Sequence, residues 1–87
     1  MAVVWIPSLM RDLTAGEAKL SVQGETVRQV IQKLEQRYPG MEARLCAEGR
    51  LRPNISVVVD GTASSKGLRH KLNTDSEVHF LPAMSGG

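Results

Sequence analysis

Gly24-Glu25-Thr26-Val27-Arg28-Gln29-Val30-Ile31-Gln32-Lys33-Leu34-Glu35-Gln36-Arg37-Tyr38-Pro39-Gly40 is the stretch on which the fold of this 87-residue chain turns. Val27, Val30, Ile31, Leu34 and Tyr38 recur at the i, i+3, i+4, i+7, i+11 spacing that lines one face of a helix. The residues between them, Arg28, Gln29, Gln32, Lys33, Glu35, Gln36 and Arg37, make the other face polar. Thr26 with Gln29 three positions later has the capping-box form, each side chain reaching the other's free backbone N–H. Pro39-Gly40 ends the element. A helix with one apolar face needs a surface to bury it against.

The flanking sequence supplies that surface as strands. Upstream, Ala2-Val3-Val4-Trp5-Ile6 is β-branched and aromatic and stops at Pro7. Ala18-Lys19-Leu20-Ser21-Val22 alternates as a half-buried strand does. Downstream, Met41 to Cys46 fits one short helical turn, and Ile55-Ser56-Val57-Val58-Val59 is a strand running into the hairpin signal Asp60-Gly61. A short strand follows before the Gly67-Leu68 turn, and Glu77 to Leu81 is the last. The expected fold is α+β, a mixed sheet of four to five strands with one main helix on one face. Alternation puts Ala2, Val4, Ile6, Leu20, Val22, Ile55, Val57, Val59, Val78 and Phe80 under the helix. Val3, Trp5, Val58, His79 and Leu81 fall on the open side, where a patch holding Trp and Leu marks an interaction surface unless a loop covers Trp5.

Size and composition bound the function. The chain has room for one core, and 41% hydrophobic against 23% charged residues is a globular balance, so disorder is not expected. No window approaches the ~20 apolar residues of a membrane span, and no signal peptide is visible. Cys46 has no internal disulfide partner, which fits a reducing compartment and a cytoplasmic location. Net charge is +2, with cations clustered at Arg44, Arg50 and Arg52 and at Lys66, Arg69, His70 and Lys71. Only Trp5, Tyr38 and Phe80 are available for stacking, so neither nucleic acid nor membrane is an expected partner. The clusters read as solvated loops or as complements to acidic partner surfaces.

The sequence finishes on Gly86-Gly87, directly after the strand-like Val78-His79-Phe80-Leu81-Pro82. Glycine lacks a Cβ, so such a thread passes a channel too narrow for side chains. A carboxylate at Gly87 is then open to a partner enzyme. The domain reading is 1–82 as the folded body and 83–87 as a flexible tail, against the alternative of a frayed end without function.

With these pieces in order the chain resembles the ubiquitin-like sulfur carriers, small β-grasp proteins ending in Gly-Gly. They include the molybdopterin-synthase small subunit and the thiamine and cysteine-biosynthesis carriers. The resemblance runs through Ile6-Pro7-Ser8-Leu9-Met10-Arg11, Gly24-Glu25-Thr26-Val27, Leu34-Glu35, Tyr38-Pro39-Gly40 and Asn54-Ile55-Ser56-Val57. It continues in Gly67-Leu68 and closes in Leu81-Pro82-Ala83-Met84-Ser85-Gly86-Gly87. It implies that an ATP-dependent activating enzyme adenylates Gly87 and that sulfur then displaces AMP to leave a thiocarboxylate. The protein would be a cosubstrate rather than an enzyme, with no bound cofactor or metal and with ATP consumed by its partner. Ala83, Met84, Ser85 and Gly86 would thread into the partner's active site, while Trp5, Val58 and Leu81 dock. The Ile6-Pro7 opening and Pro82-Ala83 favour carriers serving cysteine synthesis. There the thiocarboxylate attacks an amino-acrylate on a pyridoxal-phosphate enzyme, and a metalloprotease-like hydrolase frees the cysteine. A thiazole or thiosugar synthase is another acceptor of the same kind. Ala83 stands where molybdopterin-synthase subunits carry a second proline, and Asn73-Thr74-Asp75-Ser76 replaces the usual Asp-Gly turn with residues that tolerate the left-handed conformation.

Other residues offer weaker readings. Cys46 reads as a small, partly buried apolar residue. His70 and His79 lack a ligand pattern between them, and Asp12, Glu17 and Glu25 show no pairing for acid–base work. Besides sulfur carriage for cysteine or another metabolite, three alternatives stay open: a ubiquitin-like modifier joining Gly87 to target lysines, a molybdopterin-synthase small subunit, and a plain binding module.

Overall fold

The computed structural model describes residues 1–82; Ala83–Gly87 lie outside the described residues. Seven strands form, β1 (Ala2–Trp5), β2 (Lys19–Val22), β3 (Cys46–Ala47), β4 (Arg50–Leu51), β5 (Ile55–Val59), β6 (Thr62–Ala63) and β7 (Glu77–Pro82). Five make one sheet in the order β2-β1-β7-β5-β6, and β3 pairs with β4 in a separate ribbon. The β1–β7 pair is parallel and its neighbours are antiparallel, so the sheet is mixed. Parallel neighbours need a crossover connection, and the segment between β1 and β7 carries both helices, α1 (Val27–Arg37) and α2 (Met41–Leu45).

The helix phase read from the sequence is the one adopted. Val27, Val30, Ile31 and Leu34 are all buried, and the strand residues assigned beneath them are buried too, with Ile55 half-buried at the margin. Met10, Met41, Leu45 and Leu68, from short elements with no clear period, complete the core. Thr26 caps α1 by accepting from Gln29 N at 3.2 Å. The return half of the box differs, since Gln29 Oε1 accepts from Glu25 N at 2.8 Å, one residue upstream of Thr26.

Three features depart from expectation. Cys46 is extended and opens β3 rather than closing the helical turn at Met41. The Glu48-Gly49 turn, with both residues at positive φ, joins β3 to β4 in a ribbon that sequence reading did not resolve. The 73–76 turn uses no left-handed residue. Instead Ser76 N donates to Asn73 O at 3.2 Å and Asn73 N donates to Ser76 Oγ at 2.8 Å. Asp60-Gly61, read from the sequence as a hairpin signal, is left-handed at both residues, φ 52° and 84°, as a tight hairpin between right-twisted strands demands.

Candidate functional site

Strand pairing lays one row of side chains across the open face. Lys19 on β2 is opposite Trp5 on β1, Trp5 is beside His79 on β7, His79 is opposite Val58 on β5, and Val58 is opposite Ala63 on β6. The Trp5 and His79 rings stack with centroids 5.2 Å apart and planes 20° from parallel. Lys19 Nζ lies 5.2 Å from the Trp5 ring centroid, within cation–π range. Trp5 is half-buried, with side chains of its own row packed against its ring. Its indole N–H is buried and has no acceptor among the described residues.

Leu81 lies two residues further along β7, opposite Ser56, and is 43% exposed. The structure thus puts Trp5 and Val58 in one row bridged by His79, with Leu81 beyond them towards Pro82. Gly87, Gly86, Ser85, Met84 and Ala83 lie outside the described residues.

Sequence reading missed Leu9, which is 78% exposed, the barest large apolar side chain described. It sits in the 3-10 turn Ser8–Met10, which buries Met10 and turns its neighbour outward. Leu9, Pro7, Ile55 and Pro82 line a cleft of about 300 Å³ at the end of β7. Arg44 holds this corner, donating from Nη1 to Leu9 O at 3.3 Å and from Nη2 to Asp12 at 3.3 Å. The only sequence signal was an unpaired leucine inside Pro7-Ser8-Leu9-Met10.

Cys46 borders a different cavity, about 350 Å³, between α1, α2 and the β3–β4 ribbon. Burial pushes its thiol pKa up, the Glu42 carboxylate adds to this, and Arg28 and Arg52 only partly oppose it. A thiol held in its protonated form is a poor nucleophile. Among the described residues no three His, Cys, Asp or Glu side chains gather to hold a metal ion, and no helix is long and apolar enough to cross a membrane.

A mixed sheet of this order, with one helix across one face and the other face open, defines a β-grasp, ubiquitin-like protein. The ThiS family model matches residues 4–87, and the chain belongs to that family. The sulfur carrier protein CysO of Mycobacterium tuberculosis is 33% identical over 97% of this chain and 96% of its own length. The crystal structure of the Amycolatopsis orientalis BexX/CysO complex contains a chain of TM-score 0.92 and 34% identity, with each chain fully covered. The small archaeal modifier protein 1 of Methanosarcina acetivorans matches with TM-score 0.80 and 26% identity over 99% of this chain and 95% of its own.

Proposed function

We propose that this protein is a sulfur carrier, with residues 1–82 as the body and 83–87 as the tail that an activating enzyme receives. The observation that carries the proposal is the family match through residue 87, with relatives named as sulfur carriers along nearly the whole chain. The geometry is compatible. β7 leads past Leu81 to Pro82, so a partner gripping the open face is placed beside the residues that follow.

The chemistry is a sequence of partner-catalysed steps, and the protein itself is a cosubstrate. A Gly87 carboxylate attacks the α-phosphate of ATP, pyrophosphate leaves, and an acyl adenylate forms. A carboxylate is a poor electrophile until it carries such a leaving group. The terminal sulfur of a donor persulfide then displaces AMP to form an acyl disulfide. A thiol of the partner system cleaves its S–S bond, becoming a disulfide and leaving a thiocarboxylate, a soft anionic nucleophile that stays covalently held. Its destination is a sulfur-requiring biosynthesis in the cytoplasm, with cysteine formation on a pyridoxal-phosphate enzyme first in line. Ala83, Met84, Ser85 and Gly86 thread into the partner, and Met84 offers an adaptable apolar contact. Trp5, Val58 and Leu81 dock on the activating enzyme.

A second reading, protein modification through the same carboxylate, is favoured by the likeness to the archaeal modifier. Intact-mass analysis of protein from its native host separates them: an oxygen-to-sulfur gain marks carriage, and a series of heavier conjugates marks modification. Deleting Gly87, or adding one bulky residue after it, should abolish thiocarboxylate formation while the thermal midpoint is unchanged. Normal sulfur loading of either variant would remove Gly87 from the chemistry.

A further inference from the structure

Folding redistributes the cations that cluster along the sequence. Arg44 is taken up by Asp12 and Leu9 O, and Arg52 Nε donates to Ala43 O at 2.9 Å. Arg50 instead joins Lys66, Arg69 and, from the exposed face of α1, Arg28 around one depression floored by Leu51 and Leu68. An adjoining depression shares Lys66 and Arg69 and adds Lys71. Among the described residues no carboxylate lines either one. The ion pair found among the described residues is Arg44 with Asp12, so these five cations have no anionic partner there. All five are exposed. Arg28 also borders the Cys46 cavity with Glu35, Glu42 and Glu48, so on a chain of net charge +2 the concentrated field is that of Arg50, Lys66, Arg69 and Lys71.

We infer that this strip is a second recognition surface, and that it takes an acidic segment, rich in Asp and Glu, of a protein partner. Three observations select that occupant. The cations are spread along two adjoining depressions rather than converging on one point, which suits an extended anionic segment better than a compact ion. The backbone amides of the turn are already used: Lys66 N and Gly67 N both donate to Ser64 Oγ, at 3.1 and 3.2 Å. A phosphate nest needs such amides free, whereas guanidinium groups bind carboxylates through their own forked donors. Finally, no Trp, Tyr or Phe lines either depression, so there is no platform on which a base can stack. Leu68 belongs to the core beneath α1, which puts the strip in the helix layer, across the sheet from Trp5 and Leu81. An acidic partner can therefore hold the carrier while its open face is engaged elsewhere.

The test uses the whole protein and an octaglutamate peptide at low salt, followed by backbone amide shifts and by anisotropy of the labelled peptide. Shifts should concentrate at Arg28, Arg50 and residues 65–71. The pair Arg50→Glu/Arg69→Glu should weaken binding about tenfold or more, as loss of complementary charges does. The pair Lys33→Glu/Arg37→Glu changes net charge equally on another part of α1 and should leave affinity within about twofold, the residue of long-range attraction alone. Equal losses in both pairs, or shifts centred on the open face, would overturn the proposal. So would tighter binding of a single-stranded oligonucleotide of equal charge, or saturation of the same shifts by inorganic phosphate at peptide concentrations. Should the reversed pair fail to fold, Arg50→Gln/Arg69→Gln makes the same comparison with a milder change.

Discussion

Asp60 joins two distant turns through one carboxylate. It occupies the left-handed first position of the β5–β6 hairpin, accepts from Ser76 Oγ at 3.0 Å, and accepts from Glu77 N at 2.9 Å. Ser76 is itself buried, so its hydroxyl depends on this partner. Asp60→Ala should cost about 1–3 kcal/mol, the range for stranding a buried donor such as the Ser76 hydroxyl, seen as a lower denaturation midpoint with an unchanged denaturant slope. A change within experimental error would mean that water replaces the carboxylate. Cys46 gives the opposite kind of expectation, an absence of chemistry. Its raised pKa means that alkylation at neutral pH should be slower than for a free thiol and should climb with pH beyond the range where free cysteine levels off. The folded state holds the thiol proton more tightly than the unfolded chain does, so this group's contribution is full below the unfolded thiol's pKa. It is lost as pH rises through the folded value. Cys46→Ala should load sulfur like the parent, and a loading defect would show that the thiol takes part after all. Both residues were partly legible: Asp60-Gly61 announces a hairpin locally. The bond to Ser76, sixteen residues away, has no local signature.

Among the elements, α1 was the most legible because eleven residues repeat its spacing over three turns. The ribbon of β3 and β4 was not, since two-residue strands show no period and Glu48 is an uncommon residue for a left-handed turn. The second turn of support for α1 was equally hidden. The Glu35 carboxylate accepts from Gly40 N and Glu42 N, fastening the start of α2 to the end of α1. That contact depends on Gly40 at φ 106°, which a reading of Pro39-Gly40 as a simple stop does not reveal. Leu34 tests the helix phase directly. It is fully buried between α1 and the sheet, so Leu34→Ala should destabilise by about 2–5 kcal/mol. Against a typical total of ~5–15 kcal/mol for a domain, that is a large share. Urea unfolding of the single variant is sufficient, and a loss well below ~1 kcal/mol would put Leu34 outside the core.

At the scale of the whole molecule, the sheet has one face buried under α1 and one left open with the Trp5–His79 row on it. The alternation within each strand was readable, and so was the division of faces. The row Lys19–Trp5–His79–Val58 was not, because it requires the parallel pairing of β1 with β7, a contact between opposite ends of the chain. The role of residues 83–87 rests on kinship rather than on geometry. These two faces make opposite demands on substitution. Val57 is buried opposite Phe80, so Val57→Asp puts a carboxylate into the core and should unfold the protein or lower its midpoint sharply. Leu81 is 43% exposed opposite Ser56, so Leu81→Asp leaves its new charge in water and should barely move the midpoint. If the open face receives the activating enzyme, the same change introduces a charge where apolar anchors concentrate the binding energy. Thiocarboxylate formation should then slow, and the loss should appear as a weaker apparent affinity for that enzyme. Measuring loading and unfolding side by side for both variants decides the matter. Leu81→Asp that unfolds like Val57→Asp, or that loads sulfur at the parent rate, would place the docking surface elsewhere, with the bare Leu9 cleft beside Pro82 the next to test by Leu9→Asp.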